Sequence, residues 1–563
     1  MKHIMNANSN MKFNNAANEF ERLWTDAYDR DVTRKFRQTH CTIKESMLDL
    51  LSKEGEKPLV KMGDVVVTRA EADAAACRLG NALLSEGVEK GSRISIIVPN
   101  RPEIVETFMA CYKTGFVAAA FNQRSTGEEI VRTVASVESS VIVIENATLP
   151  KIAESLEAGE LPSVSVVVVM DADNALTALG PVRVLSWEAI QATADASEPA
   201  VEITNRDNAL LLFTGGTTGV PKGCVQTHGR MVLELQSMHH WCQSALRSPD
   251  PLFLVCMPMT HIMGINYGVN WQVINGGAVA IGDGHSPERI IDAFNRFKPT
   301  VWAALPTLLH SVSKTDDLAT CSYKDLDLVI FGGSFIAREL LERLATMTHA
   351  SFVESYGMSE SFGFVTCNPV RSGGKVGSIG LPISNTDVLI VDSDEGTRPL
   401  NPGERGEIIF RGPQIIHDYW NNPEETAHAL RGGWLYSGDI GYMDEDGFFY
   451  VVDRKKDTIV VSGFNVFPKE IDELLMSHPN IVDACTIGVP DEHSGERPKS
   501  FIVVDQAFHA TEEELIAFCK QHLVAYKAPR YFEVLSEIPK TKNRKPDREK
   551  LKRIEREKGS KKA

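Results

Sequence analysis

At 563 residues the chain is longer than a single hydrophobic core usually supports, so two or more domains are expected. Its 43% hydrophobic and 24% charged residues exclude a fibrous or wholly disordered protein. Asp and Glu outnumber Lys and Arg by 75 to 59, a net charge of -16, which disfavours a nucleic-acid partner or an anionic membrane surface.

The opening MKHIMNANSNMKFNNAANEF is rich in Asn and lacks the apolar stretch of a secretion signal, so residues 1–40 read as a poorly ordered lead-in. Helical spacing from Thr68 to Leu84 is followed by the β-rich run Arg93 to Val98 and a helix-like stretch from Pro102 to Lys113. An apolar segment at Val117 to Phe121, a helical pattern at Gly127 to Val137 and a strand-like run at Val141 to Glu145 continue the alternation. Further strand-like runs fall at Ser163 to Met170, Leu252 to Met257, Ala278 to Ile281 and Leu328 to Phe331. Strand alternating with helix is the pattern of a doubly wound α/β sheet. From Thr386 to Arg411 short alternating segments broken by Gly and Pro predict a small β subdomain. Another shift follows at DRKKDTIVVSGFNVFPKEIDELL, residues 453–475, which places a domain boundary near Lys456 and divides the chain into 41–455 and 456–563. The ten cysteines are scattered, with no C-x-x-C pair, which predicts free thiols, a reducing compartment and no structural zinc. No apolar run approaches the roughly 18 to 20 residues that cross a bilayer, so a cytoplasmic protein without a transmembrane segment is expected.

FTGGTTGVPKG, residues 213–223, places four glycines, three threonines and a lysine behind the apolar run ALLL. Glycines admit close backbone approach, threonine hydroxyls and backbone amides donate to phosphate oxygens, and Lys222 adds a charge. The Gly-Lys-Ser/Thr ending of a Walker A loop is missing. This string resembles the signature of the adenylate-forming superfamily of acyl-CoA synthetases, luciferases and peptide-synthetase adenylation domains. The likeness continues in family order through MPMTHIMG (257–264), FGGS (331–334), ESYGMSE (354–360), WLYSGDIG (434–441), DRKKD (453–457) and PKTKNRK (539–545). It implies two doubly wound α/β subdomains with a small β-barrel-like subdomain, followed by a small mobile α+β domain. ATP, Mg²⁺ and coenzyme A as co-substrate come with the same resemblance.

Roles follow position by position from the resemblance. The nucleotide would be bound by Thr214, Gly215, Gly216, Thr217, Thr218, Gly219 and Lys222 of the loop, with Gly333, Ser334, Ser355, Tyr356, Gly357 and Ser359. Tyr356 would stack on adenine, Ser359 would contact the α-phosphate, and Glu360 would hold Mg²⁺, a hard ion suited by carboxylate oxygen. Asp439 resembles the ribose-binding aspartate, with Arg454 beside it. Lys545, with Thr218 and Glu360, would be catalytic, bridging the attacking carboxylate and the α-phosphate. This chain has Arg544 where the family has Gly before that lysine, Gly216 for a usual serine and Ser359 for a usual threonine. Lys456 takes the hinge position, and Gly463 resembles the loop lining the pantetheine tunnel.

His261, Ile262 and Met263, with Phe331, Gly332 and Phe362, would line an acyl pocket. No aspartate stands near Cys256 to Thr260 to pair with an amino acid's ammonium, and no Arg or Lys lies within the pocket motifs to bind a second carboxylate. A fatty, aryl or short branched monocarboxylic acid is therefore preferred. The rival readings are an acyl-AMP ligase that loads a carrier protein and, in another class, an inactive nucleotide-binding regulator. The sequence leaves room for a homodimer.

Overall fold

Buried parallel strands show both faces to helices, so they carry unbroken apolar runs such as Val166–Met170, in which every residue is buried. The computed structural model describes every residue except 1, 173–175, 215–221, 283, 285, 314, 316–322, 333–337, 347, 492, 506–510, 542–545 and 561–563. It gives no side-chain detail for residues 2–10, 214, 338–339, 345 and 559–560 either. Among the described residues two large sheets dominate. One has nine strands in the order Leu381–Pro382, Gly363–Cys367, Ser351–Met358, Leu328–Gly332, Val301–Ala304, Leu252–Val255, Ala278–Ile281, Pro58–Met62 and Val65–Thr68. The other has eight: Lys222–Thr227, Asn208–Thr214, Val117–Ala120, Arg93–Ile97, Val141–Glu145, Val166–Met170, Val182–Ser186 and Ala178–Leu179. Their interior ladders are parallel and their margins antiparallel, the mixed form of a doubly wound sheet.

Helix starts follow local chemistry. Thr68 and Thr126 each accept from the amide three residues on, and Glu71 and Glu129 return the bond, so the helices Arg69–Ser85 and Gly127–Ser136 begin where those capping boxes sit. A third sheet, built from Asp387–Val391, Gly406–Arg411, Trp434–Met443, Leu430–Arg431 and Phe449–Arg454, is antiparallel and forms the small β subdomain. A fourth, Phe464–Val466, Ile459–Val461, Gly495–Val504, Ile481–Asp491 and Tyr531–Val534, carries the terminal helices. The chain passes from the third sheet to the fourth through the single turn Lys455–Asp457.

The N-terminal segment corrects an expectation. Where a poorly ordered lead-in is expected over 1–40, Lys2–Asp26 is one helix, and Phe13, Ala17, Phe20 and Trp24 are buried along one face of it. Phe13 meets Trp434 edge-on at 5.7 Å, and Trp24 lies 6.3 Å from Phe449, so the helix seals the small β subdomain. Beyond it, the Tyr28 hydroxyl donates to the Pro382 carbonyl at 2.5 Å, and Arg34 pairs with Asp387. The Asp29 carboxylate accepts from the amides of Val370 and Arg371 at 2.8 and 3.1 Å.

Candidate active site

Residues 215–221, the segment between the strands Asn208–Thr214 and Lys222–Thr227 of the second sheet, lie outside the described residues, and with them the expected roles of Gly215, Gly216, Thr217, Thr218 and Gly219. Its two ends are fixed: Thr214 pairs with Lys222 across the antiparallel strands Asn208–Thr214 and Lys222–Thr227. Lys222 Nζ lies 2.5 Å from Glu425 Oε2 and 5.5 Å from the centre of the Tyr419 ring. That same tyrosine donates its hydroxyl to Glu360 Oε1 at 2.7 Å.

Glu360 sits in the single turn Ser359–Ser361, immediately after the strand Ser351–Met358. The turn can form because Gly357 is a glycine: a Cβ there would stand 1.6 Å from the Gly363 carbonyl oxygen of the returning strand. Glu360 is only 5% exposed. Burial pushes its carboxyl above the ordinary carboxylate range, while the Tyr419 hydrogen bond and the charges of Arg454 and Lys222 draw it down. A buried carboxylate short of compensating charge suits a hard divalent cation, so the residue fits Mg²⁺.

The strands Trp434–Met443 and Phe449–Arg454 bring Asp439 opposite Arg454 in register. Arg454 Nε lies 2.7 Å from Asp439 Oδ1, and the Tyr356 hydroxyl donates to Asp439 Oδ2 at 2.7 Å. Both carboxylate oxygens are thus engaged, yet each keeps a lone pair that a sugar hydroxyl can use. Asp439, chiefly, holds the Arg454 guanidinium above its usual range, with Tyr356 and Glu360 adding to it. Tyr356 meets Phe410 edge-on at 6.5 Å, which fixes the plane of its ring. Ser355 donates to the Phe331 carbonyl, and a Cβ on Gly332 would lie 2.2 Å from the Ser355 carbonyl oxygen. Ser359 opens the turn that carries Glu360, whereas Gly333, Ser334 and Lys545 lie outside the described residues.

Of the expected acyl-pocket residues, Ile262, Met263 and Phe362 share one apolar cluster, and His261 precedes the short helix Ile262–Ile265. Phe331 does not join them. Along the strand Leu328–Gly332 side chains alternate, so Phe331 falls with Val329 in the cluster of Phe294, Trp302 and Leu309, on the opposite face of the sheet from Ile330. Tyr419 and Glu425 were missed from sequence; neither belongs to a spaced motif, and only the fold carries IHDYWNNPEE to Lys222 and Glu360.

The turn Lys455–Asp457 has divided loyalties. Lys455 Nζ reaches Glu407 of the third sheet at 2.8 Å, while Asp457 faces Lys552 of the helix Arg548–Ser560 at 3.8 Å. Lys456 lies between them, exposed. Gly463 tops the hairpin Ile459–Val466 at φ 84, with nothing within 4 Å of a built Cβ, and its neighbours Val460 and Phe464 are exposed. No helix among the described residues is long and apolar enough to cross a membrane. The nine described cysteines form no disulfide.

Comparison with known proteins agrees with this geometry. Residues 51–420 match the family described as AMP-binding enzyme, and residues 470–545 match the AMP-binding enzyme C-terminal domain. The chain is 29% identical over 539 residues to the long-chain-fatty-acid–CoA ligase of Bacillus subtilis, covering 92% of this chain and 96% of that protein. It is 30% identical over 483 residues to a feruloyl-CoA synthase of Amycolatopsis sp, covering 86% and 92%. Among solved structures, an o-succinylbenzoate coenzyme A synthetase from Bacillus subtilis in complex with ATP and magnesium ion matches with a TM-score of 0.76 at 27% identity, over 90% of this chain and 99% of that one.

Proposed function

The chain belongs to the AMP-binding enzyme family, and from that premise we propose that it is an acid–thiol ligase, joining a monocarboxylic acid to coenzyme A at the expense of ATP. In the first half-reaction a carboxylate oxygen attacks the α-phosphorus, the bond to the β-phosphate oxygen breaks, and pyrophosphate leaves. In the second the thiol sulfur attacks the acyl carbon, the bond to AMP breaks, and the thiol proton is released.

The observation that carries this reading is the convergence on Glu360: a buried carboxyl fixed by Tyr419, within electrostatic reach of Lys222 at the foot of the phosphate loop and of Arg454 beside Asp439. An acid anion and a triphosphate repel each other, so fixed cations at their meeting point are what the reaction requires. Lys222 and Arg454 supply positive charge from two sides. Asp439 orients Arg454 and offers its spare lone pairs to the ribose, and Tyr356, its hydroxyl tied to Asp439, presents a ring to the base. Mg²⁺ held by Glu360 would screen phosphate charge. Lys545 supplies the further cation for acid activation.

The terminal unit, 456–563, turns about Lys456, whose neighbours are tied to opposite sides of the link. The exposed Gly463 hairpin then meets the large unit, 41–455, and lines the path of the thiol. AMP release measured with ATP, CoA and a panel of alkanoic, branched and aryl acids tests the proposal. Release with at least one acid is expected; none with any acid rejects it, and release only with an acylated carrier protein transfers the activity to the rival acceptor.

A further inference from the structure

The helix His228–Cys242 follows directly on the strand that begins at Lys222, and it buries Glu234 completely. One carboxyl oxygen of Glu234, Oε1, accepts from the Phe364 amide at 2.8 Å, two residues beyond Phe362 of the acyl cluster. The other, Oε2, has no hydrogen-bond partner among the described residues. The Tyr267 hydroxyl is likewise buried without a partner, and it stands within electrostatic reach of Glu234.

These groups lie beside Phe362, one of the expected acyl-pocket residues. A Cβ on Gly363 would lie 2.6 Å from Glu234 Oε1 and 3.3 Å from Asn266 Nδ2, and the Gly363 carbonyl faces Gly357 of the nucleotide motif. One chain of buried polar groups nearby is satisfied: the Tyr112 hydroxyl donates to Asn270, Asn270 to Asn266, and Asn266 to the Phe362 carbonyl, whereas Gln414 Oε1 and Gln272 Oε1 are open like Glu234 Oε2 among the described residues. What sets Glu234 apart is that an open carboxyl oxygen has an open hydroxyl within its reach, a pair that can serve one external polar partner. Against the pull of the Phe364 amide, burial drives the Glu234 carboxyl well above the carboxylate range and so favours the neutral form, which can donate one hydrogen bond and accept another.

We infer that Glu234, with Tyr267, selects the acyl group by hydrogen-bonding an oxygen function on its chain, so that the substrate is a hydroxy- or keto-substituted monocarboxylic acid rather than a plain hydrocarbon acid. The inference rests on the ligase reading above and adds a substrate class to it. Glu234 acts as a specificity-determining group; it touches neither phosphate nor carboxylate in this scheme.

The test uses the full chain, ATP, magnesium and CoA, with AMP release measured for matched acids: octanoate against its hydroxy and keto derivatives, and cinnamate against hydroxycinnamate. The wild type favours the oxygenated member of at least one pair by about tenfold or more in kcat/KM. Glu234→Gln keeps that preference, because the amide still accepts from Phe364 and still donates. Glu234→Met brings the preference to within about threefold of unity. Tyr267→Phe, which deletes one oxygen atom, lowers the same ratio and serves if the methionine variant fails to bind ATP by calorimetry. A wild type that releases AMP yet treats both members alike overturns the inference and leaves the ligase reading standing. Equal loss for both members in Glu234→Met and Tyr267→Phe assigns the pair to a buried water or to packing, and overturns it too. A preference for a trimethylammonium acid that Glu234→Gln abolishes replaces hydrogen bonding with ion pairing and overturns it. A wild type that releases AMP with no acid removes the ligase reading and this inference with it.

Discussion

Asp439 illustrates how far a motif reaches and where it stops. YSGDIG marks the residue, and the register of two strands delivers Arg454 beside it, but only the structure shows the Tyr356 hydroxyl on its second oxygen. Asp439→Asn removes the charge that orients Arg454 and one of two anionic acceptors. It should weaken ATP binding about tenfold by calorimetry, the scale of a hydrogen bond to a charged group. Phe331 shows the opposite case. The period of two along LVIFG places it on the face opposite Ile330, information the sequence holds and a motif alignment ignores. Tyr419 and Glu425 were not legible at all, because contacts between residues 59 and 203 positions apart leave no local pattern.

Elements read more clearly than contacts. Val141–Glu145 and Ala278–Ile281 fall where the apolar runs predict, and the capping threonines start helices at the expected residues. The N-terminal helix was hidden by its Asn-rich composition, although Phe13, Ala17, Phe20 and Trp24 recur at helical spacing. Trp24→Ala should cost about 3 to 5 kcal/mol locally, and hydrogen exchange across Trp434–Met443 should quicken as the helix lifts. A second element carries a pH signature. His228, at the start of its helix, is fully buried with neither ring nitrogen partnered among the described residues, and burial depresses its pKa from 6.5 to about 4. A depressed base must stay neutral in the fold, so its contribution is complete above pH 6.5 and is lost as pH falls from 6.5 towards 4. The loss is on the order of 3 kcal/mol. His228→Leu should flatten the Tm profile over that window and leave it unchanged near pH 8.

At the scale of the whole molecule, the four sheets separate into a large unit and a terminal one joined by a single turn. The texture change at 453–475 locates that link, because antiparallel segments broken by Gly and Pro give way to a strand, helix, strand pattern. In the proposed reaction, the opposed tethers of Lys455 and Asp457 would make Lys456 the pivot. If the two half-reactions use different orientations, Lys545→Ala should lower acid activation by about 100-fold or more while thioester formation from supplied acyl adenylate keeps most of its rate. Equal loss in both steps would count against an alternating terminal unit. The most direct test of the central claim is acid-dependent exchange between ATP and pyrophosphate, run on the wild type and on Glu360→Gln with magnesium present. The account predicts exchange with at least one monocarboxylic acid and a drop of about 100-fold in the variant. Exchange that ignores the Glu360 substitution, or that no acid elicits, would contradict it.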